Sequence, residues 1–147
     1  VFGTEKARNF ARLEPDLQGG FIRSIKHGRG ILKLPDNTRY EGEFVNGVQQ
    51  GLGKYSYPDG TFYEGDLAQN VRHGYGTLHT PNGQIYTGFF AHGKKEGTGK
   101  LCFPDNSIYK GQFLNDQMHG EGTFTDNMTF IDKKGLWQNG QRVKWLE

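Results

Sequence analysis

The 147 residues have the length of one ordinary domain, but only 33% are hydrophobic, too few for a thick two-layer core. The chain holds 11 Phe, 7 Tyr and 2 Trp beside 23 Gly, and rings that must be buried among glycines that bury nothing point to thin, repetitive β structure. A formal charge of +2 with dispersed Lys and Arg excludes the single-sign face that a nucleic acid demands, and the single Cys102 excludes an internal disulfide.

No apolar run approaches the ~18 residues of a membrane-crossing helix, and no secretory leader stands out, so the expectation is a soluble, cytoplasmic chain. In chain order the first segment is 1–16. Within it Glu5 to Leu13 reads as a short helix, with Lys6, Arg8 and Arg12 beside Phe10, Ala11 and Leu13. Such a segment either caps the end of a repeat array or docks in a groove of this molecule or a neighbour, as an amphipathic ligand would.

Residues 17–132 are periodic. Tyr40-Glu41-Gly42-Glu43-Phe44 recurs as Tyr63-Glu64-Gly65-Asp66-Leu67, Tyr86-Thr87-Gly88-Phe89-Phe90 and Tyr109-Lys110-Gly111-Gln112-Phe113, and one step earlier as Leu17-Gln18-Gly19-Gly20-Phe21. A Gly-x-Gly pair follows each at a fixed distance: Gly28 and Gly30, Gly51 and Gly53, Gly74 and Gly76, Gly97 and Gly99, Gly120 and Gly122. In 133–147 the frame lengthens by one, and Gly135, Trp137 and Gly140 form a partial sixth repeat or a cap.

Tyr-x-Gly-x-aromatic, a loop and Gly-x-Gly together resemble the MORN (membrane occupation and recognition nexus) repeat, over roughly residues 17 to 147. The resemblance implies an all-β fold: an elongated, curved, single-layer antiparallel meander of tandem hairpins whose aromatic face lines a concave groove. It says little about function, because such arrays serve very different proteins.

Period-two alternation agrees with that fold. Tyr40, Gly42 and Phe44 share one face and Glu41 and Glu43 the other, while Gly51, Gly53, Tyr55 and Tyr57 alternate with Leu52, Lys54 and Ser56. Pro58-Asp59-Gly60 and Thr80-Pro81-Asn82-Gly83 predict tight turns between repeats, and Asn46-Gly47 and His92-Gly93 predict the start of longer loops within them. Gly42, Gly51 and Gly53 leave room for a neighbouring ring.

Competing chemistry is poorly served. His27, His73 and His119 share one slot, filled elsewhere by Gln50 and Glu96, but they stand ~19 Å apart by strand spacing, too far to share a metal. His79 and His92 follow no pattern. Glu41, Glu43, Glu64 and Asp66 fall on the solvated face, where nothing shifts a carboxylate toward catalysis, and Cys102 lacks a base. The expectation is therefore no catalytic residue, no metal and no cofactor.

The reading is a non-enzymatic scaffold that binds an amphipathic helix or extended segment of another protein. Its groove would be lined by Tyr40, Phe44, Tyr55, Tyr57, Tyr63, Tyr86, Phe90, Phe103, Tyr109 and Phe113. One alternative is peripheral membrane attachment through anionic phospholipids at Lys94, Lys95, Lys100 and Lys110. Another is a spacer or regulatory arm of a larger enzyme or cytoskeletal protein. Homodimerisation through an open edge near Trp137 also stays open.

Overall fold

A computed structural model describes residues 27–146. Eleven strands follow one another in chain order as an antiparallel meander: β1 (Gly28–Lys33), β2 (Arg39–Val45), β3 (Val48–Ser56), β4 (Phe62–Ala68), β5 (Val71–His79), β6 (Ile85–Ala91), β7 (Lys94–Cys102), β8 (Ile108–Leu114), β9 (Gln117–Thr125), β10 (Asp132–Gln138) and β11 (Gln141–Trp145). No helix is found among the described residues, and the predicted helix over Glu5 to Leu13 lies outside them. The chain divides into two compact units, Val1–Arg72 and His73–Glu147.

Two kinds of turn alternate, and each follows from local chemistry. Between repeats the chain reads Pro35-Asp36-Asn37, Pro58-Asp59-Gly60, Pro81-Asn82-Gly83 and Pro104-Asp105-Asn106. Proline presets its own φ, and the Asp or Asn side chain accepts the N–H two residues on, as in Thr38 N to Asp36 Oδ1 at 2.9 Å and Thr61 N to Asp59 Oδ1 at 2.8 Å. The third residue then turns left-handed, with φ 77° at Asn37 and 96° at Gly60. These same N–H donors hold the Asp36 and Asp59 carboxyls below the usual carboxylate range.

Within repeats the turns are two-residue hairpins with positive φ at both positions, for example Asn46 at 52° and Gly47 at 82°. Gln69 with Asn70 and Asn115 with Asp116 do the same without a glycine. The expected longer loops are therefore the tighter connections. The reason lies in the first glycine of the Gly-x-Gly pairs in β3, β7 and β9, Gly51, Gly97 and Gly120. It sits inside the strand at an irregularity where Gly42 opposes Gly53 but Phe44 opposes Gln49, so β3 already starts at Val48. Gly51 has φ +86° there, and an added Cβ would strike the Glu43 side chain on the polar face, not a ring. Only Gly42 and Gly53 leave room for one.

Burial follows the alternation. Tyr40, Phe44, Tyr63 and Leu67 form the core of the first unit, and Leu78, Tyr86, Phe90, Leu101, Tyr109, Phe113 and Trp137 that of the second. The opposite face of the first unit carries Arg29–Glu43, Arg39–Glu41 and Lys54–Glu64 pairs at 3.9, 3.2 and 3.9 Å. Exposed as they are, they contribute little to stability.

Candidate functional site

The aromatic face is assembled from one repeated device. Gly42 and Gly53 stand opposite each other, and the Tyr40 ring lies in the notch that the two missing side chains leave. A Cβ on Gly42 would come within 2.5 Å of the Tyr40 hydroxyl and 2.6 Å of the Gly53 Cα. Tyr86 lies likewise over Gly88 and Gly99, and Tyr109 over Gly111 and Gly122.

Each hydroxyl then reaches the carbonyl three residues on. Tyr40 donates to Glu43 O at 2.9 Å, Tyr63 to Asp66 O at 2.6 Å, Tyr86 to Phe89 O at 2.7 Å and Tyr109 to Gln112 O at 2.9 Å. A buried phenol is thereby satisfied without water. Loss of solvent pushes the Tyr109 hydroxyl up to about 12, and burial raises Tyr40, Tyr63 and Tyr86 as well.

Phenylalanines pack edge-on against these rings: Tyr40 with Phe44 at 5.2 Å, Tyr86 with Phe90 at 5.1 Å, and Tyr109 with Phe113 at 5.3 Å between centroids. In the second unit the chain of T-shaped contacts runs on from Tyr86 to Phe113 at 4.8 Å and from Tyr109 to Trp137 at 4.7 Å, so each repeat locks into the next.

The ten predicted groove residues thus separate into two classes. Tyr40, Phe44, Tyr63, Tyr86, Phe90, Tyr109 and Phe113 are between 0% and 3% exposed, which leaves a partner almost nothing to touch. Tyr55, Tyr57 and Phe103 are half-buried and reachable. Tyr55 leans on Tyr40 at 5.0 Å and donates its hydroxyl to Gln49 Oε1; Tyr57 stacks on it at 5.3 Å with an interplanar angle of 8°. In the second unit Phe103 meets Phe124 at 6.3 Å. In each unit the accessible rings sit toward the proline turns.

The four predicted lipid-binding lysines do not gather into one patch. Lys95 folds its ammonium over the Tyr86 ring at 5.6 Å, on the aromatic side. Lys100 and Lys110 face each other on the opposite side, and Lys94 begins β7 beside the His92-Gly93 turn.

The shared histidine slot has a definite task. His27 Nδ1 accepts from Asn46 N at 3.3 Å, and His73 Nδ1 from His92 N at 3.3 Å; Gln50 does the same for Gln69 N at 3.1 Å and Glu96 for Asn115 N at 3.3 Å. Each clamps the first residue of the next tight turn. His92, which followed no pattern in the sequence, is part of this device, its ring 5.6 Å from that of His73. No three His, Cys, Asp or Glu side chains cluster as metal ligands among the described residues.

Two exposed aromatic features within the strands escaped the sequence reading. Tyr75 and Phe89 form an edge-on pair at 5.3 Å on the polar side of the second unit, where Phe89 stands in the position of Glu43 and Asp66. Trp145, in the irregular last strand, is the other.

Among solved structures the chain is similar to the SAS-4 (dCPAP) TCP domain of Drosophila melanogaster, in complex with a proline-rich motif of Ana2 (dSTIL). The identity is 21% and the TM-score 0.39, over 78% of this chain and 69% of that one. Comparison with curated proteins gives no match. The MORN repeat model matches residues 18–39, 40–62, 63–85, 86–108 and 109–128. Four of those matches begin at Tyr40, Tyr63, Tyr86 and Tyr109, the rings of the device just described, and the chain belongs to the MORN repeat family.

Proposed function

We propose that this chain is a non-enzymatic, cytoplasmic protein-interaction module whose aromatic face receives an amphipathic helix or extended segment of a partner. What supports this reading is the division of the rings. In each unit the fully buried tyrosines and phenylalanines form a floor, with Tyr55 and Tyr57 partly exposed on that of the first and Phe103 and Phe124 on that of the second. Aromatic side chains held this way lose little entropy on binding and offer large apolar area, the character of interface anchors. The buried rings build the surface and the half-buried ones meet the partner.

The test separates floor from anchors. Tyr57→Ala combined with Phe103→Ala should abolish capture of partners by the isolated chain while the melting curve stays near that of the wild type. Tyr86→Ala should instead cost ~3–5 kcal/mol of stability. Undiminished capture by the Tyr57 and Phe103 double variant would refute the reading.

A further inference from the structure

Each unit has a face turned away from its buried rings, where antiparallel pairing lines up side chains in rows across the strands. In the first unit one such row runs Glu41, Lys54 and Glu64, and Lys54 meets Glu64 at 3.9 Å, so its charges largely cancel. The same row in the second unit runs Thr77, Thr87, Lys100, Lys110 and Thr123. Lys110 stands where the repeat has Glu41 and Glu64, directly opposite Lys100. Neither lysine is in an ion pair among the described residues. Like charges so opposed weaken a sheet.

The adjacent row departs from the repeat as well. Leu52 opposes Asp66 in the first unit, but at the equivalent place in β5 and β6 Tyr75 opposes Phe89, the two rings 51% and 48% exposed. On the β7 side Phe89 is flanked by Gly97, where even an added Cβ would stay 3.9 Å from the Phe89 Cβ, so that flank of the ring is open. Phe89 and Lys100 are one strand and two residues apart, roughly 8 Å. Carboxylates do not cancel the lysines. The strands of the second unit place Glu121 and Asp132 on this face against Lys100, Lys110 and Lys134, and Asp132 already accepts from the Thr125 hydroxyl at 2.6 Å. Glu96, Asp105, Asp116 and Asp126 are each taken up by backbone N–H groups at the turns.

We propose that this face of the second unit binds an acidic, amphipathic helix of a partner protein. Its apolar side chains cover Tyr75 and Phe89, and its carboxylates meet Lys100 and Lys110. A helix is the form that fits, because β6, β7 and β8 are paired on both sides and a chain laid over them must satisfy its own backbone. Charge complementarity selects the partner. The same face of a second copy would set lysines against lysines, and the first unit's face offers Glu41, Glu43 and Glu64 already paired with Arg39, Arg29 and Lys54. The chain's own Glu5 to Leu13 stretch carries Lys6, Arg8 and Arg12 against Glu5 alone. A membrane is the weaker candidate, because its headgroups would meet Glu121 and Asp132 together with the lysines, whereas a helix can set its carboxylates over the lysines alone. This face is not the one that carries Phe103, so the two sites can fail separately.

Phe89→Glu and Lys110→Glu each restore the residue type of the first unit's repeats, so Phe89→Glu should melt near the wild-type temperature and Lys110→Glu at or above it. The probe is a synthetic helical peptide with leucines along one stripe and glutamates beside it, titrated into the whole chain by calorimetry. Both variants should bind it at least roughly tenfold more weakly than the wild type, and the wild type should bind the Gln-for-Glu analogue as weakly. The variant carrying Tyr57→Ala with Phe103→Ala should bind it undiminished. Equal affinity for the Gln analogue overturns the proposal, as does a loss of binding confined to the Tyr57 and Phe103 variant. A lower melting temperature for Lys110→Glu would assign the lysine pair to the fold and overturn it too. So would tighter binding of phosphatidylserine vesicles, or of a peptide of residues 1–16, than of the acidic helix, or self-association of the wild type that Phe89→Glu abolishes.

Discussion

The regular repeats and the sixth, irregular one solve the same packing problem with different residues. Over Gly88 and Gly99 lies a tyrosine pinned by its own hydroxyl. Over Gly135 lies Trp137, which has no hydroxyl and packs instead on Tyr109 and Trp145. Lys133 stands where the tyrosine would be, and the proline turn gives way to a longer one from Asp126 to Ile131. The ring over glycine survives every other change, so the notch, more than the tyrosine that fills it, is what a repeat needs.

The sharpest way to break this comparison is to fill the notch. A methyl on Gly88 would lie 2.5 Å from the Gly99 Cα and 2.7 Å from Thr98 O, backbone atoms that cannot yield without parting β6 from β7. Gly88→Ala should cost ~3 kcal/mol or more and abolish the cooperative unfolding of the second unit. At Gly135 the nearest atoms are ring carbons of Trp137 at 2.8 and 3.0 Å, which can tilt, with Lys144 O at 3.2 Å. Gly135→Ala should cost only ~1 kcal/mol. Equal losses in urea unfolding would show that the two notches are not different in kind.

Alkaline pH discriminates the repeats next. Ordinary tyrosines lose their proton near 10.0, and Tyr109 holds its proton to about 12 in the folded chain because burial disfavours the phenolate. Tyr40, Tyr63 and Tyr86 shift the same way for the same reason. The unfolded chain therefore ionises first. Stability is complete below pH 10, declines as pH climbs through the folded values, and its loss is shared by all four notches. Phenolate absorbance and far-ultraviolet circular dichroism should rise and collapse together. The notch of Trp137 has no proton to lose and contributes nothing to this transition.

Much of this was legible in the sequence, because glycine and aromatic residues recur at fixed spacing and strand alternation converts spacing into faces. The repeat, the meander, the proline turns and the membership of Tyr40 or Tyr109 in the aromatic face all follow from that. Which rings remain reachable does not follow. Tyr86 and Tyr57 occupy the same face by period, but the edge-on phenylalanines that bury Tyr86 come from its own and the following repeat, a matter of packing across strands. The tight turns at Gln69-Asn70 and Asn115-Asp116 were hidden because neither contains glycine, and a bulge at Gly51 made the preceding residues read as loop.

The clamp on the tight turns is a weaker lever. His73 accepts the His92 N–H through Nδ1, and Gln50 does the same for Gln69 through its amide oxygen. His73→Gln should unfold at the same urea concentration as the wild type. His73→Ala, which leaves the donor to water at an exposed site, should lose ~0.5 kcal/mol. If the glutamine variant is as damaged as the alanine one, the histidine does more than accept a hydrogen bond.

The smallest expected effect returns to the irregular turn. Phe130 is 76% exposed and left-handed, so its ring gains little from packing while its backbone bears the cost of φ 59°. Glycine at that position removes the steric conflict between Cβ and the neighbouring carbonyl, at some loss of unfolded-state restriction, and Phe130→Gly should stabilise the second unit by up to ~1 kcal/mol. The variant should accordingly melt higher than the wild type, and an unchanged or lower melting temperature would show that packing of the Phe130 ring outweighs the backbone cost of its left-handed φ.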